Sequence, residues 1–369
     1  MSPAEEPPSG AGDTSPAAQG FVMAPDWAPH RRTWMSWPTH NYVREAGPAT
    51  LAAWAAVAAA VSRFEPLCML TAPSTLQEAR AACPPGTEVV SCKLDDAWLR
   101  DNGPTFLLDG HGRVGSVNWS FNAWGGRFPF QRDRAAGVLV ADRSGAVRSA
   151  SPLVNEGGAM VTDGAGTLIV TESVLTNPNR NPGWNRAAVE AELRRVLGVG
   201  AVIWLSRGLH GDVGPNGTDG HADTLTAFVG PGVVVAHHQP DPDHPDHEIT
   251  ADNLARLRAA RDAGGRPLEV VALPAPASGR EGHATHESYT NFTWVNGAVL
   301  LCGFDDPVAD AAVRDTFRQL VPDRQLVQID ATAIFAVGGG IHCITCHEPA
   351  AATCHLAVPT GMVDQGAER

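Results

Sequence analysis

The sequence predicts an α/β fold built from five helix–strand–hairpin units set around a central axis. Three observations predict it. Strand pairs separated by tight turns recur five times along the 369 residues. Helical patterns and single apolar strands lie between the pairs. The unit returns at roughly 50 to 70 residues, a period typical of propellers and arrays, and no linker-like break interrupts it after residue 21. A doubly wound α/β domain is the competing architecture. Units of this kind close into a ring more naturally than into an open parallel sheet.

The elements follow in order. Residues 1–20, "MSPAEEPPSGAGDTSPAAQG", carry neither a basic region nor an apolar run and read as a disordered leader, with one domain over 21–369. Helical patterns "TLAAWAAVAAAVSRF" and "STLQEARAA" lead to strands "PLCML" and "EVVSCKL". Four hairpins come next: "TFLLDGHGRVGSVNW" from Thr105, "AMVTDGAGTLIVTES" from Ala159, "LTAFVGPGVVVAHH" from Leu225 and "FTWVNGAVLLCGF" from Phe292. Their D-G, G-P-G and N-G turns accept the positive φ that a tight reversal requires. Between them lie helices "NRAAVEAELRRVLG", "TADNLARLRAARDAG" and "DPVADAAVRDTFRQLV", followed by strands "AVIWLS", "LEVVAL" and "QLVQID". Asn or Asp near the start of the first and third of these helices can cap free backbone N–H groups. The fifth pair, "IHCITCHEPAAATCHLAV" from Ile341, is the least regular.

Forty acidic residues against 27 basic ones give a net charge of −13. No Lys/Arg-rich block occurs, so nucleic acid and anionic membranes are excluded as expected partners, since both depend on clustered basic residues. An acidic field favours small cations. No apolar run reaches the roughly 18 residues of a membrane span, and the chain is expected in the cytoplasm.

The stretch "CITCHEP" contains C-x-x-C-H, a spacing used for haem attachment, redox dithiols and half-sites for zinc. Haem attachment requires export, for which the sequence offers no signal. Zinc would need a second ligand pair beside Cys343, Cys346, His342 and His347, and "HHQPDPDHPDHE" from His237 reads as a surface loop. A redox pair would be expected to open a helix, whereas these cysteines lie on a strand pattern. A fourth possibility is that only one of the two cysteines matters, as a nucleophile.

Reactive residue types sit in the loops before the hairpins: "DDAWLRDNGP", "VNEGGAM", "TDGHADTL", "ESYTNF" and "GGGIHCIT". If the units are related by rotation, these loops converge at one end of the axis, and Asp101, Glu156, His221, Asp223 and Cys343 share a pocket. A thiolate beside a protonated His is a strong nucleophile. Two carboxylates beside it would hold a flat cation with forked N–H donors, which describes a guanidinium. Each residue also has a plainer reading. Asp101 could pair with Arg100, Asp95 and Asp96 could be turn residues, His221 a satisfied core histidine, Gly340 a turn glycine, and Cys343 an inert buried thiol.

The segments "APDWAPHRRTWMSWP", "DDAWLRDNGPTF", "FNAWGG", "NEGG" with "NPNRNP", "TDGHADTLTAFVGPG", "SYTNF" with "NGAVLL", and "GGGIHCIT" resemble, in this order, the signatures of the agmatine deiminases and bacterial-type peptidylarginine deiminases. The resemblance runs from about Phe21 to Pro359. It implies the pentein fold, a five-bladed α/β propeller with its active site on the axis. It also implies a hydrolysis without metal or cofactor, in which a thiolate attacks the guanidinium carbon, ammonia leaves, and a covalent amidino-cysteine is hydrolysed to a ureido product. By motif, Cys343 resembles the nucleophile, His221 the general acid and base, and Asp101 and Asp223 the carboxylates gripping the guanidinium. Trp98, Glu156, Asp95 and Gly340 complete the implied substrate-binding set.

The implied reaction is agmatine to N-carbamoylputrescine and ammonia, a step toward putrescine and polyamines. Alternatives are deimination of peptidyl arginine or another guanidino metabolite, amidino transfer to an amine, and a non-catalytic binding module. A homo-oligomer is implied as well. The chain departs from the resemblance at Cys346, His347 and Glu348, where relatives commonly carry amides, at Ala28, and in "GDVGPNGTDGHAD".

Overall fold

The computed structural model describes residues 13–39, 42–277 and 286–351. Their strands form five separate sheets of three or four strands. Met160–Thr162 and Thr167–Thr171 pair antiparallel, and Ala201–Leu205 adds parallel to the second of them. The same pattern recurs in Thr226–Gly230, Val233–His238 and Glu269–Pro274, and again in Thr293–Val295, Ala298–Gly303 and Gln325–Asp330. Thr105–Asp109, Val114–Asn118 and Val147–Ala150 repeat it, with Phe21–Met23 added on the outer edge of the hairpin. In every sheet a helix precedes the parallel strand, as a parallel crossover requires. Arg186–Leu197, capped by the Asn185 side chain, and Pro307–Leu320, capped by Asp306, are two of these helices.

The remaining sheet corrects the sequence reading. Residues 352–358 of the expected fifth hairpin lie outside the described residues, and Thr345–Pro349 finds another partner. It pairs antiparallel with the N-terminal strand His30–Ser36, which continues in parallel to Leu67–Thr71 and Glu88–Ser91. The fifth hairpin is therefore assembled from the two ends of the described chain, a long-range pairing that no turn residue announces.

Two further differences have local causes. The helix Asp133–Ser144 was not expected, because Gly137 interrupts its pattern. That glycine is there for packing: a Cβ would lie 2.7 Å from Asn118 Nδ2 and 2.9 Å from the Asn102 carbonyl oxygen. The boundary drawn at residue 20 falls inside described structure, since residues 16–20 form a turn and the Ala17 N–H bonds the Arg195 carbonyl. Residues 1–12 of the expected leader lie outside the described residues.

Cys346, His347 and Glu348, where the chain departs from the resemblance, are buried in this rebuilt sheet. Cys346 packs with Trp34, Leu99 and Phe106. Glu348 accepts hydrogen bonds from Trp34 Nε1 at 2.8 Å, Ser144 Oγ at 2.9 Å and Arg31 Nη1 at 2.9 Å. Cys343 and Cys346 are both free thiols.

Candidate active site

Short turns at the ends of the sheets present the reactive groups. The helix Leu99–Asn102 carries Asp101, the turn Gly157–Ala159 follows Glu156, the turn Ala222–Thr224 holds Asp223 next to His221, and Gly338–Cys343 leads into the last strand. Gly158 marks where three of these turns meet. A Cβ there would lie 2.6 Å from His221 Nδ1, 2.9 Å from Asp223 Oδ2 and 3.0 Å from Asp101 Oδ1. Only a residue without a side chain leaves that space free. The Cys343 sulfur stands 3.5 Å from Asp223 Oδ2, so Asp101, His221, Asp223 and Cys343 form one cluster, each at most 5 % exposed.

The protein has already used some of the atoms in this cluster. Asp101 accepts the Gly158 N–H on Oδ1 and the Trp124 indole N–H on Oδ2, both at 2.9 Å. Trp124 reaches it from a left-handed backbone, with φ of 55° at both Ala123 and Trp124, a conformation that costs a non-glycine residue of order 1–2 kcal/mol. Asp223 Oδ2 faces His342 Nδ1 at 2.7 Å. Asp223 Oδ1 and His221 Nδ1 have no hydrogen-bond partner among the described residues, while His221 Nε2 faces Glu156 Oε2 at 3.5 Å. Buried polar atoms are nearly always paired, so these orphans point to where a ligand's groups belong.

Electrostatics follows from burial and from the three carboxylates. Burial, then Asp223 and Asp101, pushes the Cys343 thiol well above its ordinary 9.0. Burial opposes protonation of His221, but Asp101, Glu156 and Asp223 outweigh it and raise the imidazole to about 9. Burial also raises the Asp101 carboxyl, helped by Asp223 and opposed by His221. For Asp223 burial is overcome by the hydrogen bond and charge of His342, which hold the carboxyl below the usual range. At neutral pH the cluster thus holds a thiol, an imidazolium and a net negative field. Such an arrangement can receive a cation beside a thiol.

Glu156 lies behind His221, its Oε2 3.5 Å from Nε2, and is held by Arg180 in a fully buried pair at 2.9 Å. Arg180 also binds Asp219 and the Thr218 carbonyl, which fixes the loop leading to His221. Trp98 donates to the Tyr42 hydroxyl at 3.0 Å, and its ring covers Gly339, where a Cβ would crowd both Trp98 and the Cys343 sulfur. Gly340 is a packing position: a Cβ would strike Asn291 and the Phe335 ring. Asp95 accepts the Arg132 N–H at 2.8 Å and lines a cavity of about 600 Å³ with Tyr42, Asp96, Phe128 and Arg132.

Sequence reasoning missed four residues. Asn291 Nδ2 donates to the Cys343 sulfur at 3.2 Å, and its Oδ1 accepts the His342 N–H at 3.1 Å. It sits in "ESYTNF", a loop equivalent in position to the others, and that position was the available signal. His342, Arg180 and Asp26 gave none, because their partners lie far away in sequence. Arg100, next to Asp101, turns away from it to Asp26 and His347. Among the described residues no three His, Cys, Asp or Glu side chains are grouped to hold a metal ion, and no helix is long and apolar enough to cross a membrane.

Comparison with known proteins places this geometry. The model of the Porphyromonas-type peptidyl-arginine deiminases matches residues 22–349. A Streptomyces avermitilis protein provisionally named an agmatine deiminase is 49% identical over 345 residues, covering 91% of this chain and 99% of its own. The agmatine deiminase of Pseudomonas aeruginosa is 39% identical over 368 residues, with 91% and 98% covered. The solved agmatine deiminase of Enterococcus faecalis superposes with a TM-score of 0.86 at 30% identity, over 92% of this chain and 98% of its own. The chain belongs to the Porphyromonas-type peptidyl-arginine deiminase family.

Proposed function

We propose that the protein hydrolyses the guanidinium group of agmatine, releasing ammonia and N-carbamoylputrescine. The observation that carries this reading is the convergence on Gly158: two carboxylates and an imidazolium surround one point, and the Cys343 sulfur stands 3.5 Å from one of those carboxylates and in the negative field of both. The names of the family's relatives support agmatine in particular.

In this reading the guanidinium lies between Asp101 and Asp223, donating an N–H to the unpartnered Asp223 Oδ1. Its positive charge cancels the field that holds the thiol protonated, so Cys343 releases its proton to solvent and becomes a thiolate. The sulfur attacks the central carbon. His221, already protonated, gives its proton to the departing nitrogen, and the C–N bond breaks to release ammonia. The substrate remains on Cys343 as an amidino thioether. Neutral His221 then takes a proton from water as the hydroxyl adds to the same carbon. Collapse breaks the C–S bond, the added hydroxyl gives up its proton to solvent, and the urea is left. Water and substrate are consumed, ammonia and the ureido product leave, and thiolate and imidazolium are restored.

We infer further that the five sheets are the blades of one pentein propeller. Their shared strand pattern and the pairing of Thr345–Pro349 with His30–Ser36 support it.

The test is ammonia release from agmatine, arginine and a short arginine peptide, with Cys343→Ala as control. Turnover of agmatine alone, abolished in the variant, is the expected result. Turnover of the peptide in place of agmatine would shift the substrate class, and activity surviving in the variant would remove Cys343 from the chemistry.

A further inference from the structure

We propose that Asp26 is a positioning residue that acts through His342: the pair locks Asp223 so that one of its oxygens is committed to the protein and the other is left for the substrate. The proposal rests on the guanidine reading above.

His342 lies directly between two carboxylates. Its Nδ1 is 2.7 Å from Asp223 Oδ2 and its Nε2 is 2.9 Å from Asp26 Oδ2. A neutral imidazole has one N–H, and its other nitrogen is a lone pair that a carboxylate oxygen would repel. Two such contacts call for two N–H groups, so His342 is held as an imidazolium. Asp26 supplies the second carboxylate that makes this form stable.

The groups facing His342 agree with that assignment. They are Asp26, Asp223, Arg100, His347 and the neighbouring Cys343. His347 Nδ1 meets Arg100 at 3.0 Å and Asp26 Oδ1 at 3.2 Å, and Nε2 contacts Thr293 Oγ1 at 2.7 Å; burial, outweighing Asp26, pushes its imidazole down to about 3, so His347 is neutral. Arg100 Nη1 also lies 3.3 Å from Asp26 Oδ1, which keeps Asp26 ionised.

The consequence falls on Asp223. The oxygen that His342 takes, Oδ2, is also the one 3.5 Å from the Cys343 sulfur. Oδ1 is buried without a partner among the described residues. A carboxylate anchored by an imidazolium cannot rotate to exchange these oxygens, and supporting hydrogen bonds of this kind hold a site in its productive geometry. Asp26 comes from the loop between Phe21–Met23 and His30–Ser36, far in sequence from the groups it controls.

Agmatine binding to the Cys343→Ala protein, followed by calorimetry, tests the idea without turnover. Adding Asp26→Asn keeps the shape and removes the charge. The expected result is affinity lower by about tenfold, the scale of a charged hydrogen bond, at unchanged stoichiometry. Binding should also fail at higher pH on acidification, because Asp223 loses the cation that keeps it ionised. Asp26→Glu should recover most of the affinity. Fewer binding sites at unchanged affinity would mean a merely structural role and would overturn the proposal, as would no change at all.

Should Asp26→Asn not fold, nitrogen-15 spectra of histidine-labelled wild-type protein decide the matter. His342, assigned by its loss in His342→Gln, is expected to carry two ring protons at pH 7, and a neutral ring there would contradict the proposal. Agmatine that fails to bind Cys343→Ala at all would sink the guanidine reading instead, and the spectra would still test His342.

Discussion

At the scale of single residues, the site depends as much on what is missing as on what is present. Gly158 leaves open the point on which His221, Asp223 and Asp101 converge. Gly158→Ala is therefore expected to lower kcat/KM by about a hundredfold or more, since displacing reacting groups by an ångström costs that much. An alanine variant with near-normal activity would mean that the substrate lies elsewhere. His221 adds a pH signature. Its folded value of about 9 lies above its ordinary 6.5, so the stability it contributes is full below 6.5, declines as pH rises, and is gone above about 9. Melting curves from pH 6 to 10 should show that decline in the wild type and a shallower one in His221→Gln. Parallel curves would rule out a raised imidazole.

At the scale of elements, Glu348 ties three together: its own strand, Trp34 on the neighbouring strand, and Ser144 at the end of a helix. Its carboxyl is 1 % exposed. Glu348→Ala leaves the buried Trp34 N–H without a partner and should destabilise the fold by about 1–3 kcal/mol, measured by urea denaturation. Wild-type stability would show that the strand holds without this tie. This element also marks the limit of what the sequence discloses. Hairpins with D-G, G-P-G or N-G turns were legible because the turn chemistry is local. Capped helices at Asn185 and Asp306 were legible for the same reason. Thr345–Pro349 was not, because its partner His30–Ser36 lies some three hundred residues away, and the helix Asp133–Ser144 was hidden by a glycine placed for close packing.

At the scale of the whole molecule, the five loops before the hairpins were readable as one site because the repeating unit placed them equivalently. The structure brings Asp101, His221, Asp223 and Cys343 together, with Glu156 behind the histidine and the buried Trp98 ring over Gly339. Asp95 lines a cavity with Tyr42, and Gly340 is set against Asn291. What stayed hidden was the layer behind the reacting groups, in which Arg180, His342 and Asp26 act through partners far along the chain and only the folded chain reveals them.

The central claim is that Cys343 carries the substrate's amidino carbon during turnover. Its most direct test is the mass of enzyme quenched in acid while turning over agmatine. The account predicts a species heavier by the substrate less ammonia, with the added mass on the Cys343 peptide. Steady ammonia release from enzyme of unchanged mass, or an adduct on another residue, would contradict it.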